Sequence, residues 1–274
     1  MANQTLINRL RYQWLKLGLY INRLTETIEK VDINGTRFMM QVASARELSR
    51  VRTYSTKEPQ TLLWIDQNLQ AGDVFYDIGA NIGQYGLYAA QKVGPELSVL
   101  CFEPESQNYA ALNKNIYLNQ LSQSVKAYCL AVAGETAIAD FNVVGVLAEG
   151  HALHQFASLT DEMGRSFTPA HIQGMMGVSL DDLVYKYGLE CPTHIKIDVD
   201  GNEPQIMKGA KKTLRDPRLK SVLIEINPGN MQTGIEASSI HASLRQNGFN
   251  EVGSLRSTTS GAENAGLNVV FSRT

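Results

Sequence analysis

One stretch, from Asp73 to Pro104, constrains the fold of this chain more than any other. It begins with an apolar, β-rich run over residues 74–76, turns at two glycines, Gly79 and Gly83, and continues with a helical pattern. A second apolar run covers residues 97–102. The order of strand, tight turn, helix and strand predicts a βαβ unit, and therefore an α/β fold with parallel strands.

The turn of this unit has the features of a nucleoside-binding loop. Gly79 and Gly83 allow the backbone to bend sharply and to come close to a ligand, and the start of the helix offers N–H groups that no helical carbonyl accepts. Glu103 follows the second strand, 20 positions after Gly83. An acidic residue there accepts hydrogen bonds from both ribose hydroxyls. Its charge also repels a 2′-phosphate, which argues against NADP.

Residues inside the turn distinguish between nucleoside cofactors. A dinucleotide site prefers G-x-G-x-x-G, whereas Ala80 and Asn81 stand here where the glycine that faces the pyrophosphate is expected. Asp77, just before the first glycine, suits a cationic ligand, and S-adenosylmethionine carries an ammonium and a sulfonium group. The turn therefore favours S-adenosylmethionine, and a nicotinamide-dependent oxidoreductase is the weaker alternative.

Three motifs, taken in order, resemble those of a known family. They are Asp77-Ile-Gly-Ala-Asn-Ile-Gly83, Phe102-Glu-Pro-Glu105 and Ile195-Lys-Ile-Asp-Val-Asp-Gly201. The chain thereby resembles the FkbM family of S-adenosylmethionine-dependent methyltransferases. This resemblance implies a Rossmann-like class I methyltransferase fold: a seven-stranded, mostly parallel sheet with helices on both faces and a reversed strand near one edge. The cofactor-binding residues that follow from the turn and the resemblance are Asp77, Gly79, Asn81, Gly83, Glu103, Pro104 and Asp198.

The predicted strand over residues 193–199 brings carboxylates to the cofactor crevice. Asp198 and Asp200 lie at its C-terminal end, and ligands of open α/β sheets bind at that end. The expected reaction is O-methylation, which requires that an acceptor hydroxyl lose its proton. We predict Asp198 or Asp200 as the catalytic base, with His151 or His154 as rivals. In the family pattern the position of Asp200 is typically glutamate, so the shorter acid has less reach.

Two further readings stay open from the sequence. A divalent metal ion held by Asp198, Glu225 and Asn227 would acidify the acceptor hydroxyl in place of a protein base. A scaffold that binds the cofactor without catalysis is the other reading, although the intact Asp77 and Glu103 speak against it.

Residues 145–177 form the least regular part of the sequence and are rich in glycine, histidine and methionine. A long irregular stretch inside a compact domain is usually functional or disordered. We therefore predict a substrate lid that closes over the acceptor. The resemblance to the family is compatible with a small molecule or a glycan as acceptor.

The first 55 residues are predicted to form a helical and hairpin extension that precedes a methyltransferase domain over residues 56–274. Residues 5–30 have the pattern of an amphipathic helix, because apolar residues recur at helical spacing and basic residues interrupt any run able to span a bilayer. The apolar stripe is expected to pack on the chain's own domain or to mediate homo-oligomerisation, with docking on a membrane surface as the alternative. A hairpin is predicted around Asn34-Gly35.

The length and composition are those of one enzyme-sized domain with an N-terminal extension. At 274 residues and 43% hydrophobic residues, the chain is long enough to bury a full α/β core. Its net charge of −2 gives no support for general nucleic-acid binding. The three cysteines are widely spaced, and we interpret them as core thiols in a reducing, cytoplasmic setting.

Overall fold

The structure is a computed structural model, and it describes residues 2–24, 27–144, 154–160, 165–226, 231–256 and 267–273. The helices are α1 (Ala2–Leu24), α2 (Ala45–Lys57), α3 (Pro59–Asn68), α4 (Gln84–Val93), α5 (Ser106–Leu118), α6 (Leu180–Tyr185), α7 (Glu203–Lys208) and α8 (Met231–Gln246). The strands are β1 (Thr27–Ile33), β2 (Thr36–Val42), β3 (Val74–Ile78), β4 (Ser98–Phe102), β5 (Val125–Tyr128), β6 (Ala131–Ala133), β7 (Ala137–Val143), β8 (Gln155–Phe156), β9 (His171–Ser179), β10 (His194–Ile197), β11 (Ser221–Ile226), β12 (Phe249–Arg256) and β13 (Leu267–Arg273).

The main sheet has seven strands in the order β12-β13-β11-β10-β3-β4-β5. Strands β11, β10, β3, β4 and β5 are parallel, while β13 runs antiparallel to both of its neighbours. The predicted βαβ unit is confirmed as β3, α4 and β4, and the predicted reversed strand lies one position from an edge. Strands β3 and β10 lie at the centre of the sheet and are almost entirely buried, as is typical of parallel strands that are covered on both faces.

A hydrophobic core lies on each face of this sheet. On one face, α3, α4 and α5 pack with the β1–β2 hairpin around residues such as Ile65, Leu87 and Leu112, all fully buried. On the other face, α6, α7 and α8 pack around residues such as Ile206 and Leu244. The helices therefore cover both faces, as the resemblance implied.

The predicted hairpin is confirmed, and two asparagines attach it to the domain, one in α5 and one directly after it. The backbone N–H of Gln41 donates to Asn115 Oδ1 (2.8 Å), and the backbone N–H of Met39 donates to Asn119 Oδ1 (2.7 Å). Phe38 and Tyr54, from β2 and α2, belong to the same core as α4. Residues 27–57 therefore share their core with the main sheet.

Helix α2 occupies a region in which the sequence shows no clear apolar period. Its start is fixed by a capping box, in which Ser44 Oγ accepts from the N–H of Glu47 and the Glu47 carboxylate accepts from the N–H of Ser44. This reciprocal pair satisfies two N–H groups at the helix start. The signal was therefore the Ser-x-x-Glu spacing rather than periodicity.

Part of the predicted lid is regular structure. A second sheet with the order β6-β9-β7-β8 stands beside the main sheet, and β9 begins at His171, inside the stretch expected to be irregular. Strands β5 and β6 are separated by only two residues but belong to different sheets. Helix α7 is short and is followed by a 3₁₀ turn at Thr213–Arg215.

The N-terminal helix α1 is shorter than predicted. It ends at Leu24, and Ile28 lies in β1, where the chain must extend to pair with β2. Every side chain from residue 7 to residue 18 is exposed, so packing of this part on the chain's own domain is wrong. Within the described residues, no helix combines the length and the apolar character needed to cross a membrane.

The cysteines differ in their surroundings. Cys101 and Cys191 are buried, as expected for core thiols, but Cys129 is exposed. Cys129 follows β5, the edge strand of the main sheet, and an edge position leaves one side of the strand open to solvent.

Candidate active site

A cavity lies where the C-terminal ends of β3, β4, β10 and β11 meet. It has a volume of about 910 Å³, including the part that is open to solvent. Its wall includes five of the seven predicted cofactor-binding residues: Gly79, Asn81, Glu103, Pro104 and Asp198. Asp200 also lines it. The strand order thus brings together side chains that are more than 100 positions apart in the sequence.

The turn after β3 is held against the end of β4 by backbone hydrogen bonds. The N–H groups of Gly79 and Ala80 both donate to the carbonyl of Phe102 (3.0 and 3.1 Å). Asn81 adopts a left-handed conformation (φ 49°), and its N–H donates to Glu103 Oε2 (2.7 Å). The turn and Glu103 therefore form one rigid unit on the cavity wall.

Glu103 is almost buried and is fixed from two sides. Its second carboxylate oxygen, Oε1, accepts from the N–H of Glu105 (2.9 Å) and weakly from Asn108 Nδ2 (3.5 Å). Burial raises the pKa of Glu103 to about 7, although the two backbone N–H groups favour the charged form. The carboxylate oxygens keep capacity for further donors, since each has two lone pairs.

The two glycines of the turn have different roles. Gly79 has φ +77°, and a Cβ there would collide with the carbonyl of Asp198. Gly83, at φ +92°, instead makes room for Leu112 and Leu87, so it serves the packing of α4 on α5. Gly83 is not among the residues that line the cavity, and its part in cofactor binding stays a prediction.

Asp77 lies beneath the turn rather than on the cavity wall. It is fully buried, its Oδ2 accepts from the N–H of Gly86 (3.0 Å), and its Oδ1 lies 3.4 Å from Lys196 Nζ. Burial raises the pKa of Asp77, and the Lys196 ammonium offsets part of this rise. In the structure Asp77 contacts a cationic side chain of the protein, and its contact with a cationic ligand stays a prediction.

Lys196 joins the buried Asp77 to the cavity. Its Nζ lies 3.3 Å from Asp198 Oδ2 and 5.1 Å from the centre of the Tyr85 ring, while its side chain is 1% exposed. Burial alone would lower the pKa of Lys196, but Asp198 and Asp77 outweigh burial and raise it. Lys196 is therefore charged, and it orients Asp198 from below the cavity.

Asp198, Asp200 and Glu225 form an acidic cluster at the ends of β10 and β11. One carboxylate oxygen from each residue lies within 4.8 Å of the others. Burial raises the pKa of Asp198, but Lys196 and the hydrogen bond with Glu225 lower it below its ordinary value. Burial and the charges of Asp198 and Glu203 raise the pKa of Glu225 well above its ordinary value. These shifts favour the charge on Asp198 and the proton on Glu225.

The loop that carries Asp200 is held by Glu203. The Glu203 carboxylate accepts from the N–H groups of Val199 and Gly201 (both 3.0 Å). Burial raises the pKa of Glu203 to about 8. Asp200 has a left-handed backbone (φ 56°), and its carbonyl accepts from Gln155 Nε2 (2.8 Å), which connects the loop to β8.

The second sheet and the residue before β8 supply an aromatic part of the cavity wall. Phe141, Phe156 and His154 line the cavity. His154 is buried, and its Nδ1 accepts from the N–H of Val144 (3.2 Å). His171 is exposed at the start of β9, and His151 and Asn227 lie outside the described residues.

One wall of the cavity was not predicted from the sequence. Arg50 and Lys57, both in α2, line the cavity together with Glu58, and the Lys57 ammonium lies 3.1 Å from Glu58 Oε1. The capping box at Ser44 marks the start of α2, but no local pattern indicates that its basic residues face the strand ends.

The sequence matches one family over most of this region. A profile of the family described as Methyltransferase FkbM domain matches residues 77–251. The 31-O-demethyl-FK506 methyltransferase FkbM of Streptomyces tacrolimicus is 26% identical over 203 residues, which are 67% of this chain and 75% of the relative. The hexuronic acid methyltransferase AglP of Haloferax volcanii is 23% identical over 199 residues, which are 72% of this chain and 74% of the relative.

A solved structure supports the same fold. The crystal structure of methyltransferase FkbM from Methylobacillus flagellatus KT aligns with a TM-score of 0.51 at 13% identity, covering 84% of this chain. The chain spans just over half of that protein, 56% of its length. Because the family profile covers well over half of the chain and includes the turn, Glu103 and the acidic cluster, the chain belongs to the FkbM family of S-adenosylmethionine-dependent methyltransferases.

Proposed function

We propose that this enzyme methylates a hydroxyl group of a small molecule or a sugar, and that Asp198 and Asp200 provide the base. The observation that carries the proposal is the continuity of one cavity from Glu103, through the acidic cluster, to the aromatic wall of the second sheet. Two relatives support this acceptor class by their names, one acting on 31-O-demethyl-FK506 and one on a hexuronic acid.

The residues of the turn fit S-adenosylmethionine. Glu103 is fixed on the wall at the end of β4, where a carboxylate accepts hydrogen bonds from ribose hydroxyls. Arg50 and Lys57 bring positive charge to the same cavity and suit the carboxylate of the methionine moiety. When bound, the cofactor supplies a methyl group that its sulfonium charge already activates. The protein therefore needs chiefly to align the acceptor and to exclude water.

The base in this proposal is an ionised carboxylate at the end of β10. Lys196 keeps Asp198 charged and oriented, and the bond from Gln155 to the Asp200 carbonyl ties the Asp200 loop to the second sheet. Either carboxylate would accept the proton of an acceptor hydroxyl within hydrogen-bonding distance. His154 is the weaker candidate, because its Nδ1 already accepts a backbone hydrogen bond.

A divalent cation at Asp198, Asp200 and Glu225 is the competing proposal. The three carboxylates are close enough to share an ion. Against an ion, the Lys196 ammonium already pairs with Asp198, and burial and the neighbouring carboxylates raise the pKa of Glu225, which favours its protonated form. A metal would have to displace that proton. We therefore favour the metal-free route.

The test uses the purified enzyme, S-adenosylmethionine with a labelled methyl group, and a panel of hydroxylated macrolides, sugars and hexuronic acids. After exhaustive chelation, transfer should continue, while Asp198→Asn and Asp200→Asn should each lower the rate by roughly 10²–10⁴ if both acids take part. Asp140→Asn, at an exposed carboxylate of β7, is the matched control and should keep the rate. Loss of transfer on chelation with recovery on adding Mg²⁺ or Mn²⁺ would overturn the metal-free route.

A further inference from the structure

The N-terminal helix α1 presents an uncovered apolar face. Ile7, Leu10, Trp14 and Leu17 are between 48% and 72% exposed. They are spaced three or four residues apart, so they lie along one side of the helix. Exposed apolar residues that occur singly are ordinary, but a continuous stripe of this kind indicates a surface that is covered in use.

The charges of α1 are all of one sign. Residues 2–24 contain four basic residues, Arg9, Arg11, Lys16 and Arg23, and no aspartate or glutamate, although the whole chain has a net charge of −2. Arg9 and Lys16 are seven residues apart and fall on the side away from the apolar stripe, while Arg11 flanks the stripe. Positive charge is thus concentrated on this helix and the rest of the chain is acidic overall.

These two features favour one occupant. Pairing of α1 with α1 of a second copy would bring together two helices of the same positive charge, and residues 2–24 contain no carboxylate to offset it. A membrane surface with anionic headgroups complements the charge and accepts the apolar stripe, and tryptophan is favoured at this interface. We propose that α1 docks the enzyme on a membrane that contains anionic lipids, lying in the headgroup region with Trp14 inserted.

The chain provides its own spectroscopic probe. It has two tryptophans, of which Trp14 is 72% exposed and Trp64 is 2% exposed. A blue shift of the emission on adding vesicles therefore reports on Trp14, since Trp64 is already in an apolar environment. Vesicles made of equal parts phosphatidylcholine and phosphatidylglycerol should give this shift and should sediment the full-length enzyme, and added salt should weaken both effects. Vesicles of phosphatidylcholine alone should give at least tenfold weaker binding.

Two variants separate the contributions of charge and apolar surface. Arg9→Glu combined with Lys16→Glu, and Leu10→Ser combined with Leu17→Ser, should each weaken binding at least tenfold. The matched control is Lys114→Glu combined with Lys126→Glu, which makes the same charge change at exposed positions of α5 and β5 and should bind like the wild type. All of these variants should bind S-adenosylmethionine normally, because none of the changed residues lines the cavity.

Three results would overturn the proposal. They are no binding to the anionic vesicles, equal binding to both kinds of vesicle, or equal loss of binding in the Lys114/Lys126 control. Sedimentation velocity of the same proteins tests a fourth. If the enzyme binds no vesicles and forms a dimer that the Leu10/Leu17 variant abolishes, α1 contacts a second copy of the chain instead of a membrane.

Discussion

At the scale of single residues, a buried polar network lies at the opposite end of the sheet from the cavity. His194 Nδ1 lies 2.7 Å from Ser221 Oγ, which also accepts from Trp64 Nε1 (3.1 Å). His194 Nε2 lies 3.4 Å from Asp73 Oδ2, and Lys220 Nζ donates to Asp73 Oδ1 (2.8 Å). Because the Asp73 carboxylate faces Nε2 and can only accept, Nε2 carries the proton of the neutral ring, and Ser221 Oγ donates to His194 Nδ1. These side chains join α3, β10 and β11, which indicates a structural role.

This network predicts a specific dependence of stability on pH. Burial lowers the pKa of His194 to about 4, and the nearby Asp73 offsets this only in part. Below an unfolded pKa of about 6.5 the unfolded chain binds a proton that the folded protein does not bind until about pH 4. The contribution of His194 to the free energy of unfolding should therefore fall by up to about 3 kcal/mol as the pH drops from about 6.5 to 4. Glu103 and Glu203 act in the opposite direction, because their raised pKa values let the folded protein bind protons before the unfolded chain does.

Urea unfolding measured across that pH range checks this expectation. His194→Gln should remove this contribution, so that the stability of the variant relative to the wild type rises as the pH falls, while His171→Gln, at an exposed histidine, should keep the wild-type dependence. Lys220 and a backbone N–H lower the pKa of Asp73, although burial acts to raise it. Asp73 therefore adds a loss of stability only at lower pH, below its ordinary pKa of 3.8. A wild-type slope in the His194→Gln variant would contradict the assignment.

A second prediction at this scale concerns Gly79. Gly79 and Gly72 share a left-handed backbone (φ +77° and +84°), but a Cβ on Gly72 would meet no atom within 4 Å, whereas one on Gly79 would strike the Asp198 carbonyl. Gly72→Ala should thus cost only the backbone strain, about 1–2 kcal/mol. Gly79→Ala should cost about 1–3 kcal/mol more, because the cavity wall must also shift. Equal losses in the two variants, measured by urea unfolding, would show that the close approach is unimportant.

The sequence predicted where some residues of the site lie, but it did not predict the structural roles of others. The positions of Glu103 and Asp198 follow from the rule that ligands bind at the C-terminal ends of parallel strands, which requires only the strand boundaries. Asp77 and Gly83 belong to the same motif, but the structure places them under and behind the turn. The role of Asp77 depends on Lys196 and the role of Gly83 depends on Leu112. Only the tertiary fold brings these residues close to the turn.

At the scale of elements, the spacing of apolar residues predicted helices and strands of the main sheet. It failed for elements whose formation depends on another feature of the sequence. Helix α2 depends on the capping box at Ser44 and on burial of Val51 and Tyr54, and its exposed residues obscure any apolar period. The second sheet was missed because β9 contains Gly174 and Gly177, which are disfavoured in strands. At Gly177 the absence of a side chain makes room for the ring of Phe156, so packing explains this glycine.

The lid hypothesis now rests on specific elements. Phe156, in β8, lines the cavity, while Leu159, three residues later, is 53% exposed and does not. Phe156→Ser should leave the affinity for S-adenosylmethionine within a few-fold, because Glu103 and the turn are untouched. It should lower methyl transfer at least tenfold through loss of apolar contact with the acceptor.

Calorimetry and a labelled-methyl assay measure the two quantities. Leu159→Ser is the matched control and should keep both. If Phe156→Ser transfers methyl groups at the wild-type rate, the acceptor does not lie against the second sheet. If it loses cofactor affinity to the same extent as activity, this wall contacts the cofactor instead.

At the scale of the whole molecule, three layers of the chain meet at one cavity. The main sheet contributes Glu103 and Asp198, the second sheet contributes Phe156, and α2 contributes Arg50 and Lys57. The sequence motifs pointed only to the first layer, because the other two reach the cavity through long-range packing that no local pattern encodes. The association of residues 27–57 with the domain, through Asn115 and Asn119, explains how α2 holds its place.

The central claim is that this cavity binds S-adenosylmethionine through Glu103, and titration calorimetry tests it most directly. The wild type should bind S-adenosylmethionine and not NAD, and Glu103→Ala should weaken binding by about 1–3 kcal/mol while the protein stays folded, since the ribose hydroxyls lose a charged acceptor. Glu96→Ala, at an exposed carboxylate just before β4, should bind like the wild type. A folded wild type that binds no S-adenosylmethionine, or a Glu103→Ala variant with unchanged affinity, would contradict the account.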